Sequence, residues 1–512
     1  MNGSRYEILS VIDTPELTAA PTAEISGWRR LVTPSIGDVL FLTVFSVAML
    51  LGGGLINRDG DLGRHILFGR SIINDGVIPS VDVYSHTMFG AELIPHSWMS
   101  QAVFATAERW LGFDGIGLVT AALIALPWMV LYRWLVRRDA PIWVSLGVTF
   151  LAAVASMIHW AARPHLFTWL FVVVWVCLLE DFRRGRRDQV WWLVPLALIW
   201  ANTHAGFIVG LTILAIYLLG EVVEIWRGAT PGHLVKARHL AVSLVATAAA
   251  SVVTPGGIGT IVNAFSYLGE DFLLDFTTEY TSPDFHNLFS WPFLAMLLLT
   301  IVLIRRWEPT PLLLTVWGTA AALYSFRNIP IYAIVMTPVL VGAVTDAMVI
   351  EGRAPRFPRM WDYAEVERHL LGGALAVLFV VAATIGLVIS PGASFGFSGS
   401  IFPIDAVESL RGVPPGERPF HMFSWGGYLE YCCHPEILVF IDGQTDFYGS
   451  ELTMEYDRVV SGRPDWAEIL EKHDVDWVMI DPEVGLAQVL AEADDWVQTY
   501  RDDTAVIFVP AA

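Results

Sequence analysis

The chain has 512 residues, of which 54% are hydrophobic and 16% charged, and its mean hydropathy is +0.54. That balance excludes an ordinary soluble domain, in which about a quarter of residues are charged; the apolar runs also lack the alternation of barrel strands, which leaves membrane-spanning helices. The net charge is −20, and beyond residue 398 there are 22 acidic against 6 basic residues, a local excess that argues against nucleic acid or anionic lipid as the partner of that stretch.

Residues 1–36 are polar with scattered acids and read as a cytoplasmic N-terminal tail without a cleavable signal. Apolar runs follow at 37–56, 115–136, 141–158, 165–180, 189–202, 206–226, 239–255, 290–305, 311–325, 328–349 and 369–390. They predict an α-helical polytopic membrane protein with about eleven spans. Ser97–Trp110 is read as an interfacial helix, which keeps the loops in phase. Arginines and lysines then fall in alternate loops, at Arg29/Arg30, Arg133/Arg137/Arg138, Arg183/Arg184/Arg186/Arg187, Arg227/Lys236/Arg238, Arg305/Arg306 and Arg353/Arg356/Arg359/Arg368. Such loops face the cytoplasm. The expected location is the inner or plasma membrane, with the N-terminus inside and the C-terminal stretch outside.

Within the transmembrane region 37–398, the first outer loop, 57–114, is the most polar interruption. It carries Asp59-Gly60-Asp61, then Arg64 and His65, with Glu92 and His96 further on. If Asp61 opens a helix, Arg64 at i+3 and His65 at i+4 share its face. An acid there also reads as an ordinary cap for free N–H groups. Other outer ends add His159, Arg163 and His165 in HWAARPH, Asn202 and His204 in NTHAG, Glu279 in EYTSPDFHN, and Arg327 in YSFRNIP. Each alone reads as snorkelling or capping. Five clusters on one side point to a site, because ionisable groups at membrane depth are expensive.

The cytoplasmic loops hold neither a G-x-x-x-x-G-K-[ST] loop nor a strand-bounded G-x-G-x-x-G. Residues 399–512 read as a soluble extracytoplasmic α/β domain, with strands at 437–442, 475–481 and 504–510 and helices at 464–473 and 482–493. Asp442 and Asp446, in IDGQTDFYG, fall just past a predicted strand end, where α/β sheets often bind ligands, and also fit the turn chemistry of Asp and Gly, the reading that weighs more. Of the three cysteines, Cys177 is in an apolar run, and Cys432 and Cys433 are adjacent, a poor geometry for a mutual disulfide. No zinc-ligand spacing is present.

These residues resemble the GT-C glycosyltransferases, within them the branch of aminoarabinose transferases, protein mannosyltransferases and lipopolysaccharide-core galacturonosyltransferases. Asp61 opens the outer-loop helix, Gly76 ends it and Pro79 follows; RPH, NTHAG, SPDFH, RNIP and FIDGQTD are similar to an uncharacterised bacterial subgroup of that superfamily. The resemblance implies a sugar donor carried on polyprenyl phosphate, a glycan, lipid or protein acceptor, and inverting transfer. It implies Asp61, with Asp59 beside it, as the base. Arg64, His65, Glu92, His96, His159, Arg163, His165, Asn202, His204, Glu279 and Arg327 are then candidates for holding substrate or phosphate. It implies no metal and no separate cofactor. A transporter or channel, and an inactive envelope-assembly scaffold of the same fold, are the competing expectations.

Overall fold

A computed structural model describes residues 33–228, 231–267, 272, 276–303, 308–350, 367, 373–389, 395–410 and 416–511. The predicted N-terminal tail up to residue 32 and the basic residues at 305–306 and 353–368 lie outside them. Every predicted apolar run coincides with a helix: Ile36–Leu51, the second half of Trp98–Val136, Ile142–Ala155, His165–Arg183, Leu193–Thr203, Phe207–Trp226, Pro231–Ser251, Trp291–Leu303, Pro309–Tyr324, Ile329–Ile350 and Ala374–Ile389. Five helical segments among the described residues are long and apolar enough to cross a membrane, and four further apolar helices are shorter. The chain is therefore membrane-embedded.

The helices enclose one large apolar core in which Trp128, Trp169, Trp175 and Trp200 are almost fully buried. The 98–136 helix is two helices joined at Gly112, whose φ of 62° is open to glycine at no steric cost. Its first half, the predicted interfacial segment, packs along the short helix Leu62–Arg70. That helix runs into a π-turn, Ser71–Asp75, and stops at Gly76 in the left-handed region, a common helix terminus.

The C-terminal region forms a four-stranded sheet: β1 (Pro419–His421), β2 (Trp477–Ile480), β3 (Trp496–Arg501) and β4 (Val506–Pro510), in the order β1-β2-β4-β3. β1 and β2 are parallel and the other pairs antiparallel. The predicted strands at 475–481 and 504–510 are β2 and β4. The predicted strand at 437–442 is not in the sheet. It is an extended segment whose Val439 bridges Ser85 of the first outer loop, donating its N–H to Tyr84 and accepting from that of His86. Its apolar residues are buried against those of β1, β2 and β4 without pairing in the sheet, a difference that a short apolar run does not encode. Cys432 and Cys433 are joined in a disulfide, contrary to the expectation from their adjacency. They lie at the end of helix Gly426–Cys433, where the backbone leaves helical geometry.

The C-terminal region rests directly on the first outer loop. A Cβ on Gly60 would lie 3.1 Å from the Ser424 carbonyl carbon, one on Gly63 2.7 Å from that of Gly427, and one on Gly427 3.1 Å from Asp61 Cα. Glycine on both faces brings backbone against backbone, and any side chain there would separate the two surfaces.

Candidate active site

Asp61 stands at the N-cap position of helix Leu62–Arg70, but its side chain makes no capping hydrogen bond. The ordinary-cap reading therefore fails. Its N–H donates to Asp59 Oδ1 at 3.0 Å, and its carboxylate faces two guanidiniums. Arg163 Nη2 reaches Asp61 Oδ2 at 2.6 Å and Arg163 Nε reaches Asp59 Oδ2 at 2.8 Å. The remaining Arg163 Nη1 pairs with Glu279. Arg64 Nη2 lies 3.4 Å from Asp61 Oδ1, while its Nη1 faces Asp442 Oδ1 at 3.4 Å and donates to Gln444 Oε1. Asp59, Asp61, Arg64 and Asp442 are all buried.

Burial raises the cost of charge on both acids, and the guanidiniums divide them. Burial pushes Asp59 up to about 7 against the pull of Arg163. Burial acts likewise on Asp61, but Arg64 and Arg163 outweigh it and hold that carboxyl well below the usual range. Glu279 is also held low, where Arg163 and Arg327 override its burial. At neutral pH the pair therefore combines a firmly ionised Asp61 with a neighbour poised to take a proton.

Asp61 opens onto a cavity of about 500 Å³. Arg64, His65, His96, His159, Arg163, His165, His204, Glu279 and Arg327 line it too, so the structure gathers these sequence candidates from five separate segments. Arg327 lies over the Tyr280 ring, 4.6 Å from its centroid, and forms no ion pair among the described residues. His65 Nδ1 faces Gln101 Nε2 at 3.3 Å. His204 Nδ1 accepts the Gly206 N–H at 3.0 Å and adjoins the Thr168 hydroxyl at 2.9 Å, which leaves its Nε2 as the proton-bearing nitrogen. His165 Nε2 donates to the His159 carbonyl at 3.0 Å, and the two ring centroids lie 4.2 Å apart with the planes tilted by 38°. His96 Nδ1 donates to the Ile94 carbonyl at 3.1 Å. Trp169, Ile208, Val209, Trp317 and Ile331 give the same cavity an apolar lining.

Two candidates stand apart. Glu92 is exposed, in a bridge with Val81, and does not line the cavity. Asn202 is a structural tie: it accepts the Trp98 indole N–H at 2.7 Å and donates to the Leu198 and Val253 carbonyls, each at 2.8 Å. Asp59 is buried behind Asp61 rather than exposed to the cavity.

Sequence reading set the strand-end ligand site at Asp442 and Asp446 below turn chemistry and did not join it to the first outer loop, yet Gly443, Gln444, Thr445 and Asp446 line the same cavity. A Cβ on Gly443 would lie 2.5 Å from Asp61 Cγ and Oδ2, so only glycine leaves room for the carboxylate. Asp446 Oδ2 accepts from Asn263 Nδ2 at 2.7 Å, which ties this wall to helix Ile258–Tyr267. The signal was the dense polar run IDGQTD, whose Asp and Gly residues equally suit a turn. No group of three His, Cys, Asp or Glu side chains among the described residues is arranged to hold a metal ion.

No protein-family model matches the chain, and no curated protein matches it. Solved structures do. Archaeal oligosaccharyltransferase AglB from Archaeoglobus fulgidus, in complex with an inhibitory peptide and a dolichol-phosphate, is similar with a TM-score of 0.54 at 12% identity, over 86% of this chain and 69% of that one. The apo form of the Archaeoglobus fulgidus oligosaccharyltransferase gives 0.53 at 13% identity, over 86% and 70%. The same enzyme tethered to an acceptor peptide containing the NVT sequon gives 0.51 at 13% identity, over 86% and 69%. At this identity the likeness concerns the fold alone.

Proposed function

We propose that this chain is a membrane glycosyltransferase that moves a sugar from a polyprenyl-phosphate donor to a glycan, lipid or protein acceptor in the cell envelope. The observation that carries the reading is the cavity: an ionised carboxylate held by two guanidiniums, and a further cation, Arg327, that forms no ion pair among the described residues. The GT-C fold supports it, and a neighbour of that fold is seen with a dolichol-phosphate and a peptide. The apolar wall suits the first isoprene units of a lipid carrier.

In this reading the acceptor hydroxyl attacks the anomeric carbon as the bond from that carbon to the phosphate oxygen breaks, and the phosphate leaves with the electron pair. A single displacement inverts the centre. Arg327, assisted by the Nε2–H of His204, takes the growing charge on the phosphate. Asp61 accepts the hydroxyl proton. A carboxylate held so low keeps a proton poorly, and Asp59, on the same guanidinium and with its affinity near 7, is where the proton comes to rest. No step calls on a metal ion. The basic-loop alternation supports an outward-facing site, with the N-terminus in the cytoplasm and residues 399–512 outside.

The test uses full-length protein in nanodiscs, undecaprenyl phosphates carrying a hexose, a hexuronic acid or an aminopentose, and envelope extract as acceptor source. Release of undecaprenyl phosphate together with a new inverted glycoside is expected for one donor class. No release with any donor, under conditions where the protein is folded, contradicts the proposal.

A further inference from the structure

Asp442 takes no part in lining the cavity, yet the structure fixes it from three sides. Its Oδ1 accepts the Gln444 N–H at 2.6 Å, its Oδ2 accepts the Tyr448 hydroxyl at 3.3 Å, and Arg64 Nη1 faces Oδ1. Among the described residues Arg64 is the one side chain paired with both it and Asp61, and Gln444 gives that guanidinium a neutral acceptor as well. Each of two carboxylates on a buried guanidinium feels its full field together with the repulsion of the other carboxylate, and the fork is held in one plane by both. Behind Asp442 sits Glu430, almost fully buried. Burial, then the nearness of Asp442, raises its proton affinity well above the ordinary range.

We infer that Asp442 is a positioning residue for the transfer reaction: acting through Arg64, it sets the place and the charge balance of Asp61, so that the C-terminal domain forms part of the reacting centre rather than an appended module. The inference rests on the function proposed above. It predicts a direction. With a neutral side chain at 442, Asp61 keeps the Arg64 charge and loses the repulsion of a second carboxylate, with Glu430 left as the other acid whose charge reaches Arg64. That carboxylate then binds a proton still less well, while the guanidinium loses one of the groups fixing its plane. The Gln444 carbonyl remains as a partner, so Arg64 is not orphaned and the fold survives.

Three full-length proteins in nanodiscs decide it: wild type, Asp442→Asn, and Asp442→Asn with Gln444→Glu, which returns a carboxylate to the same guanidinium. Turnover of the undecaprenyl-phosphate sugar should fall by about 10²-fold in Asp442→Asn, with donor KM changed by less than about threefold. The double variant should recover to within about tenfold of wild type. Phenylglyoxal labelling of Arg64, read by mass spectrometry, gives a measure independent of turnover. It should rise several-fold in Asp442→Asn and return in the double variant. Unchanged labelling overturns the inference whether or not any donor is consumed. Labelling that changes while Asp442→Asn keeps full turnover also overturns it, because Asp442 then only holds Arg64 in the fold. A wild-type protein that consumes no donor overturns the proposed function separately.

Discussion

Gly443→Ala gives a sharp test of the site's geometry, because its effect can be worked from one contact. The new methyl carbon would sit 2.5 Å from both Asp61 Cγ and Asp61 Oδ2. An ordinary carbon contact is about 3.5 Å or more, so one side must yield by about 1 Å. The Gly443 backbone does not need a positive φ, so alanine adds no backbone strain. Asp61 is the mobile partner, and moving its carboxylate stretches the 2.6 Å contact with Arg163. A misplacement of about 1 Å at a reacting group costs about 10²-fold in rate, while overpacking costs about 1–3 kcal/mol of stability. Donor consumption in nanodiscs and thermal unfolding of the same samples measure the two effects. Gly396→Ala, with open space at its Cβ, is the control. Turnover within about threefold of wild type in Gly443→Ala would refute the placement of Asp61 at the reacting centre.

Four further outcomes are expected. Asp61→Asn should lower turnover by about 10²–10⁴-fold, with only a moderate loss of melting temperature, since Arg163 keeps Asp59 and Glu279 and Arg64 keeps Asp442. Wild-type turnover should rise with pH through about 7, as Asp59 becomes free to accept a proton, and Asp59→Asn should abolish that limb in a pH–rate measurement. Glu430→Gln should raise the melting temperature more at alkaline than at acid pH. The raised affinity of Glu430 makes the folded protein hold a proton that the unfolded chain releases above about pH 4.3, so wild-type stability falls as pH rises from there toward the folded value. Cysteines placed at Arg187 and Glu471, with Cys177 replaced, should be labelled from the inside and the outside respectively; outside labelling at position 187 would reverse the orientation.

Much of the fold was legible because its signals are local. Apolar runs long enough to shelter their own backbone hydrogen bonds can hardly be anything but helices, and all eleven are helical. The polar clusters around Asp61, Arg163, His204 and Arg327 were visible as exceptions to that apolar pattern. What the residues do with one another was less accessible. Glu92 and Asn202 share the composition of the other candidates, but one faces outward and the other ties helices together. The 437–442 run has the apolarity of a strand, yet its partner is Ser85, more than three hundred residues earlier in the chain. The contact of Arg64 with Asp442 and Gln444 depends on glycine-to-glycine packing between the first loop and the C-terminal region. No periodicity within either segment reports it, and so the contribution of IDGQTD to the site looked like turn chemistry.

The most direct measurement is a cryo-EM map of the full-length protein in nanodiscs with a non-hydrolysable undecaprenyl-phosphate sugar. The phosphate should lie against Arg327 and His204, the lipid along the wall formed by Trp317 and Ile331, and the anomeric carbon facing Asp61, with room for an acceptor hydroxyl between them. A phosphate bound outside this cavity, or a cavity that stays empty at saturating donor while turnover proceeds, would contradict it.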